Sequence, residues 1–352
     1  MLITLWGYSK GDFFIYKEIS GRNMKILLVL TGGTICSAKN ANGLNALSTE
    51  SASLELVTTY RQQVAIKANA AEEVEFESIS PINTLSENMT IAKWNILLDA
   101  LSKVDLTQYA GVMILHGTDT LHLTAALMGV VFRDAGCPIM MVSAHRILSD
   151  PESNGPDNFA KSVSFISELS VRGMGGVFVI YRNVDGTSFV HHATHLEECA
   201  DYSEDFFSRD MIEYDKLTSD WSDEWFARAN ADKQMLDRGN IDLSKGIPEL
   251  KDDVLYIRPY VGINYDRINL EGVRAVLHGM YHSSTLNTEG DGAGSAMSLL
   301  RRCNEAGIAF YIFPCKDGDY RYSTTKPLID EGARCIYGMT WEEAYIRLLI
   351  QK

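Results

Sequence analysis

Short apolar, β-branched runs alternate with amphipathic stretches through the first half of the chain. Near-continuous apolar runs separated by helical patterns are typical of parallel strands in a sheet that is covered on both faces. The predicted strands are KILLVL, VEFESI, GVMIL, PIMMV and GVFVIY, and the predicted helices are SASLELVTTYRQQ, TIAKWNILLDALSKV, LHLTAALMGVVFRDAG and DNFAKSVSFISELS. The pattern predicts an α/β fold whose larger N-terminal domain has a mostly parallel sheet with helices on both faces.

The alternation stops at residues 199–250, which are acidic and aromatic and show no clear strand. It resumes with VLYIRPYVGI, VRAVLHG and IAFYIF and ends in TWEEAYIRLLIQK, where Thr340 and Glu343 have the spacing of a capping box. We therefore predict an N-terminal domain at 24–198, a linker region at 199–250 and a smaller C-terminal α/β domain at 251–352.

Residues 1–23 precede the first clean strand and lack the basic start of a signal peptide. Met24 begins MKILLVL, a strand pattern of the kind that often opens a domain. We interpret residues 1–23 as an extension or a misassigned start, with a short edge hairpin as a further alternative.

Composition excludes several classes of function. The formal net charge of the 352 residues is -14, which argues against nucleic-acid binding because that needs a basic surface. No apolar stretch approaches the roughly 18 residues that a membrane span requires. The six cysteines are scattered without a Cys-x-x-Cys pair, as expected for reduced thiols in a cytoplasmic protein.

Two threonine-rich clusters each follow an apolar run directly: TGGTI at 31–35 and HGTDT at 116–120. Ligands of open parallel sheets bind outside the carboxyl ends of the strands, so both clusters are expected at one site. The first is neither G-x-G-x-x-G nor a P-loop, which disfavours nucleotide binding. A hydroxyl such as that of Thr34 becomes a nucleophile once another group takes its proton.

These clusters resemble the two signature motifs of the bacterial-type L-asparaginases and the related glutaminase-asparaginases. The resemblance extends to LSENMT at 85–90 and to PIMMVSAHR, NGPDNF, YVGI and MTWEEAYIRLL further along the chain. It covers the sequence from about Met24 to the end and is weakest at 199–250.

The resemblance implies a role for several residues. Thr34 matches the first nucleophilic threonine, and Thr118 with Asp119 matches the second threonine and its aspartate. Ser86 and Glu87 match the pair that holds the α-carboxylate and α-ammonium groups of the substrate.

The resemblance also implies an oxyanion site and a reaction. Backbone amides at Gly33, Gly117 and Ala144 would hold the amide oxygen. The implied reaction is a two-step hydrolysis of L-asparagine to L-aspartate and ammonia, without metal or organic cofactor, in a homodimer or homotetramer.

Two departures from the family concern proton transfer. Leu44 lies where the family has a tyrosine, and the family's lysine beside the second threonine is missing. His195, in the pair Thr194-His195, is closest to the lysine position, although another register places His191 or His192 there. A neutral histidine is a base near pH 7, so we predict that His195 joins Thr118 and Asp119 in catalysis.

Several alternatives stay open at this stage. Loss of the tyrosine and lysine also fits a catalytically weak amino-acid-binding or sensor homologue, and a hydrolase of a different small amide. A zinc site at the histidines is disfavoured because their spacing fits no known ligand pattern. His145 follows PIMMV and is a candidate for substrate contact.

We expect a protein that begins at Met24 to fold and to retain the activity of the full chain, because the first strand starts there. Circular dichroism and ammonia release measure the two properties. An insoluble or unfolded shortened protein would show that residues 1–23 belong to the domain.

Overall fold

The computed structural model describes residues 24–39, 45–47, 49–67, 74–228, 246–247, 249–316 and 322–351. The predicted extension at 1–23 and Leu44 lie outside these residues. The first strands are β1 (Met24–Leu30), β2 (Ser37–Lys39), β3 (Asn45–Leu47), β4 (Val74–Ile79), β5 (Gly111–Leu115), β6 (Pro138–Val142), β7 (Gly176–Arg182), β8 (Ser188–His192) and β9 (Ile212–Glu213). The helices among them are α1 (Thr49–Lys67), α2 (Ile91–Ser102), α3 (Leu121–Val131), α4 (Gly155–Arg172), α5 (Tyr214–Ser219) and α6 (Asp223–Arg228).

The larger sheet has the strand order β4-β1-β5-β6-β7-β8-β9. Neighbouring strands are parallel from β4 to β7, and β8 and β9 are added antiparallel at one edge. Strands β2 and β3 form a separate antiparallel pair. The prediction of a mostly parallel sheet is confirmed.

A second, smaller sheet follows. Its elements are β10 (Val254–Ile257), β11 (Ala275–Gly279), α7 (Ala296–Glu305), β12 (Ala309–Phe313), α8 (Lys326–Asp330), β13 (Arg334–Cys335) and α9 (Trp341–Ile350). The strand order β10-β11-β12-β13 is parallel throughout. The predicted smaller C-terminal α/β unit is confirmed.

Side-chain alternation along β1 explains how both faces of the larger sheet are covered. Ile26 and Leu28 pack in one apolar cluster with residues of α1 and α4. Leu27 and Val29 point to the other face and join a cluster with α2 and α3. Successive strand residues face opposite sides, so a strand covered on both faces is apolar at every position.

The C-terminal unit shares the second of these cores. Leu277 of β11 and Leu348 of α9 are fully buried in the cluster that contains Leu127 of α3. Thr340 caps the start of α9, and its side chain accepts a hydrogen bond from the Glu343 N–H as the sequence pattern predicts. The two sheets are therefore joined by continuous apolar packing.

Part of the segment predicted as a linker belongs to the larger domain. It contributes β9 to the sheet, together with α5 and α6. Phe206, Tyr214 and Trp225 are buried in the two cores of that sheet. These three aromatic residues of the acidic stretch are thus core residues, and β9 is too short to give a period-two pattern.

Asn158 of α4 fastens the helix to the ends of two strands. Its fully buried amide donates to the Ser143 carbonyl at 2.9 Å and accepts from the Arg182 N–H at 2.8 Å. These bonds hold the residues that follow β6 against the end of β7.

We expect Asn158→Ala to lower the free energy of unfolding by about 2–4 kcal/mol, because two buried backbone groups lose their partner. Asn304→Ala is the matched control, since its amide donates to the Glu331 carbonyl at an exposed position. Urea unfolding of both variants measures the difference. Equal losses would show that the Asn158 bridge is not a main support of this edge.

Candidate active site

The two threonine-rich turns lie side by side at the carboxyl edge of the larger sheet. Strands β1 and β5 are paired up to Leu30 and Leu115, so both turns begin at one level. Thr31 then donates to the Leu115 carbonyl through its N–H at 3.1 Å and its hydroxyl at 2.7 Å. The His116 N–H donates to the Val142 carbonyl at 2.9 Å. The two clusters therefore lie next to each other at this edge, and their joint action on one ligand stays a prediction.

Two glycines let the backbones of these turns touch. Gly33 has φ of 82°, and a Cβ atom there would lie 2.2 Å from the Gly117 nitrogen. A Cβ atom on Gly117 would lie 2.5 Å from the Ser86 Oγ. Glycine at both positions is required because any side chain would separate the turns.

A third segment, following β4, closes against both turns. The Gly33 N–H donates to the Thr84 carbonyl and the Thr84 N–H donates to the Thr31 carbonyl, both at 3.0 Å. The Ser86 hydroxyl donates to Asp119 Oδ2 at 2.7 Å and accepts from the Asp119 N–H at 3.2 Å. Ser86 and Asp119, which are 33 residues apart in the sequence, thereby form one unit.

A cavity of about 310 Å³ opens at Thr118 and Asp119. Its other walls are formed by His145, Tyr181 and residues of the segment 198–206. A carboxylate at the mouth of a cavity beside a threonine hydroxyl suits a ligand with a positively charged group.

Thr34, Glu87 and Ala144 are predicted site residues that do not line this cavity. Thr34 is half-buried directly after Gly33, and Glu87 is exposed beside Ser86. Ala144 is fully buried, 3.0 Å from where a Cβ atom on Gly155 would lie. Their predicted contacts with a substrate stay predictions.

His195 lies in a polar network of its own. Its Nδ1 is 2.9 Å from Asp210 Oδ2 and its Nε2 is 3.2 Å from Arg209 Nη2. Burial would raise the pKa of Asp210, but the hydrogen bond from His195 and the charge of Arg209 contribute to lowering it below its ordinary value. Both ring nitrogens of His195 are thus engaged, so its predicted role beside Thr118 requires one of them to be released.

The neighbouring histidines differ in what their rings contact. His192 Nε2 lies 2.9 Å from the Trp225 carbonyl, and its ring stacks on Trp225 with 3.9 Å between centroids. His191 Nδ1 lies 2.9 Å from Ser208 Oγ, while its buried Nε2 has no hydrogen-bond partner among the described residues. Burial lowers the pKa of His191 to about 3, so the ring is neutral near pH 7.

Within the described ranges, the structure has no group of three or more His, Cys, Asp or Glu side chains that could hold a metal ion. The six cysteines all lie within the described ranges, and none forms a disulfide bond. No helix in the described part of the sequence is long and apolar enough to cross a membrane.

The fold and the carboxyl edge of the larger sheet define a class of protein. Its members have two α/β units, and two threonine-bearing turns lie side by side where the parallel strands end. The sequence model of the N-terminal asparaginase domain matches residues 25–219. The chain belongs to the asparaginase family.

Sequence relatives include enzymes and enzyme subunits. The L-asparaginase of Thermococcus kodakarensis is 27% identical over 158 residues, which are 45% of this chain and 44% of that protein. A glutamyl-tRNA(Gln) amidotransferase subunit of Pyrococcus horikoshii is 24% identical over 307 residues, 80% of this chain and 64% of that protein. The matches thus span less than two thirds of these relatives.

Solved structures show the same fold. The thermostable L-asparaginase of Thermococcus kodakarensis superimposes with a TM-score of 0.65 at 18% identity, over 93% of this chain and 92% of that one. L-asparaginase I of Vibrio cholerae gives a TM-score of 0.65 at 19% identity, over 94% of this chain and 92% of that one.

Sequence reasoning missed the residues that hold or line the site from outside the motifs. Thr84 bonds to both Gly33 and Thr31, and Tyr181 lines the cavity from the end of β7. The segment 198–206 forms a wall, although its acidic sequence resembles a solvated loop. The position of Tyr181, at the carboxyl end of a strand, is the one signal that pointed to it.

We expect Gly33→Ala to destabilise the protein by more than about 3 kcal/mol, because the new methyl group collides with backbone at Gly117. Gly186→Ala is the matched control: its φ is 88°, but the methyl group meets no described atom within 4 Å. That variant should lose only about 1 kcal/mol from backbone strain. Thermal unfolding compares them, and similar losses would refute the contact argument.

We also expect stability to fall as the pH drops from 7 to 5. Burial lowers the pKa of His116 to about 4, and it does the same for His122, His192 and His278. The unfolded chain binds protons near pH 6.5 and the folded protein does not, so stability is present above that pH and is lost below it. Each such histidine contributes a loss of about 2 kcal/mol between pH 7 and 5.

Denaturant unfolding at pH 7, 6 and 5 measures this effect. A free energy of unfolding that stays constant over the range would contradict the neutral burial of these rings.

Proposed function

We propose that this protein is an amidohydrolase that converts L-asparagine to L-aspartate and ammonia through the Thr34 hydroxyl. The observation that carries the proposal is the meeting of the two threonine-bearing turns, with Asp119 held by Ser86 at 2.7 Å. The carboxylate of Asp119 suits the α-ammonium group of an amino acid, and Ser86 and Glu87 lie beside it on the third segment.

The reaction we propose has two steps. The Thr34 oxygen attacks the carbon of the substrate's side-chain amide and loses its proton, the C–N bond breaks, and the nitrogen accepts that proton and leaves as ammonia. Water then attacks the resulting ester, so that a C–O bond to water forms and Thr34 is released. Backbone N–H groups at Gly33, Gly117 and Ala144 are the proposed donors to the oxygen that becomes negatively charged.

Proton transfer at Thr118 needs a base, and the histidine contacts favour His191. His192 Nε2 and both nitrogens of His195 are engaged, whereas Nε2 of His191 has no hydrogen-bond partner among the described residues. The ring stays neutral because burial lowers its pKa to about 3. The sequence-based assignment of this role to His195 stays an untested alternative.

Relatives support a second candidate, a subunit of an amidotransferase. The glutamyl-tRNA(Gln) amidotransferase subunit of Pyrococcus horikoshii matches over 80% of this chain. In that case the protein would act with a partner protein. Turnover of glutamine that depends on a partner would favour it, whereas turnover of asparagine by the purified protein alone favours the first proposal.

Other properties of the proposed enzyme follow from the family resemblance. We propose a cytoplasmic homodimer or homotetramer that needs no cofactor, with light scattering of the purified protein as the test of its assembly. Binding of amino acids without any ammonia release would instead indicate the sensor-like homologue.

We expect Thr34→Ala to lower ammonia release from L-asparagine at least about a thousandfold while the protein stays folded, because the nucleophile is lost. Thr34→Ser keeps a hydroxyl and should retain part of the rate. Thr107→Ala is a surface control on the 3-10 turn at Leu106–Gln108. Undiminished turnover in folded Thr34→Ala would remove Thr34 from the mechanism.

Single alanine substitutions of His191, His192 and His195, assayed from pH 5 to 9, test the base. We expect His191→Ala to lose most of the rate, since it removes the proposed proton acceptor. The activity of the wild type should not fall near pH 6.5 through protonation of His191, because burial lowers the pKa of this ring to about 3. If His195→Ala alone loses the rate, the assignment made from the sequence holds, and if none does, another group acts.

A further inference from the structure

A second cavity, of about 430 Å³, lies at the opposite edge of the larger sheet from the candidate active site. It is lined by Gly176, which begins β7, and by His192, which pairs with Phe178 near the same end of that strand. Helix α3 begins two residues after Asp119, and its last turn lines this cavity through Gly129. Its 11 residues span about 16 Å, so the two cavities are distinct. A volume of this size is typical of sites for small ligands.

Most charged and titratable side chains of this lining add little net charge to the interior of the cavity. Arg347 of α9 donates to one oxygen of Glu343 through Nε at 2.8 Å and through Nη2 at 2.7 Å, and both side chains are buried. Asp223 of α6 is exposed, so water and salt screen its charge. Burial lowers the pKa of His192 to about 4, so this ring is neutral near pH 7.

Arg133 is the charged residue of the lining that has no counter-ion. It follows α3, is half-buried, and forms no ion pair with a described carboxylate, although Asp223 and Glu343 line the same cavity. Its Nε atom is buried and has no hydrogen-bond partner among the described residues. A guanidinium stays charged near pH 7, and a partly buried one is stabilised by an anion that reaches it. The cavity therefore favours an anionic ligand.

A large part of the lining is apolar. Phe178 and Phe226 are buried, and their rings pack edge-on with 5.8 Å between centroids. Met174, Val177 and Ala227 extend this apolar wall. An apolar ring or chain that lies against such a wall is removed from water, whereas a wholly polar anion gains nothing there. The lining thus suits a molecule that combines one carboxylate with an apolar body.

We propose that this cavity binds a small monocarboxylate with an aromatic or aliphatic body. Its carboxylate pairs with the Arg133 guanidinium, whose planar donors match the two oxygens, and its body lies against Phe178 and Phe226. The residues involved are separate from those proposed for amide hydrolysis, so this inference does not depend on the proposed function.

Calorimetric titration with phenylacetate and with its neutral analogue phenylacetamide is the first test. The two compounds share a ring and a shape, and only phenylacetate is charged. We expect saturable binding of one phenylacetate per chain, at least about tenfold tighter than that of phenylacetamide, because a hydrogen bond to a charged group contributes at least that factor. Equal affinities, or no saturation by phenylacetate, would overturn the inference.

Acetate and inorganic phosphate test the need for an apolar body. Each anion should displace bound phenylacetate only at concentrations at least about tenfold higher, because neither has a ring to bury. Displacement at equal concentration would show that charge alone decides, and the proposed class of ligand would be wrong.

Variants assign the binding to Arg133. Arg133→Gln should weaken phenylacetate binding at least about tenfold and leave phenylacetamide binding unchanged, whereas Arg133→Lys keeps the charge and should retain part of the affinity. Arg267→Gln is the matched control, because it removes an exposed arginine of the C-terminal unit. Circular dichroism checks the fold of each variant. Undiminished binding to folded Arg133→Gln would contradict the role of Arg133.

A variant of the candidate active site shows which cavity the carboxylate occupies. Asp119→Asn should leave the affinity for phenylacetate unchanged, because Asp119 lines the other cavity, beyond the first turn of α3. Loss of binding in this variant would place the ligand at the candidate active site and overturn the inference. None of these measurements requires turnover, so their outcome is separate from whether asparagine is hydrolysed.

Discussion

The contact between the backbones at Gly33 and Gly117 is the constraint on which the site depends. It is possible because neither residue has a Cβ atom and because β1 and β5 end at the same level of the sheet. The contact places the threonine after each glycine at one edge, and it leaves Ser86 close enough to hold Asp119. A side chain at either glycine would separate the two turns and the residues that follow them.

The rest of the larger domain keeps that edge rigid. The strands β1, β5, β6 and β7 are buried on both faces, and α9 of the C-terminal unit packs into the core beneath α3. Asn158 ties the residues after β6 to the end of β7, which carries Tyr181. Because both faces are packed, the polar residues of the candidate site lie at the strand ends.

Most of the larger sheet was predictable because its central strands are short, continuous apolar runs between helical patterns. Helix α2 is capped by Thr90, the first residue of the predicted helical stretch TIAKWNILLDALSKV, whose side chain accepts from the Lys93 N–H at 3.3 Å. The predicted helical stretch LHLTAALMGVVFRDAG ends at Gly136, whereas helix α3 ends at Val131. The residues after Val131 form the connection to β6, which begins at Pro138. The strands β8 and β9 were not recognised, since SFVHH and a two-residue strand carry no period-two signal.

The sequence by itself determined which chemical groups are present: two glycine–threonine turns after apolar strands, a serine and an aspartate to pair, and histidines where the family has a lysine. Their positions follow from local rules about strands and turns. Only the tertiary structure decided that Nε2 of His191 is among the buried nitrogens without a partner in the described residues, and that Tyr181 lines the cavity of Thr118. Hydrogen-bond partners and burial depend on segments far apart in the sequence, and no local pattern records them.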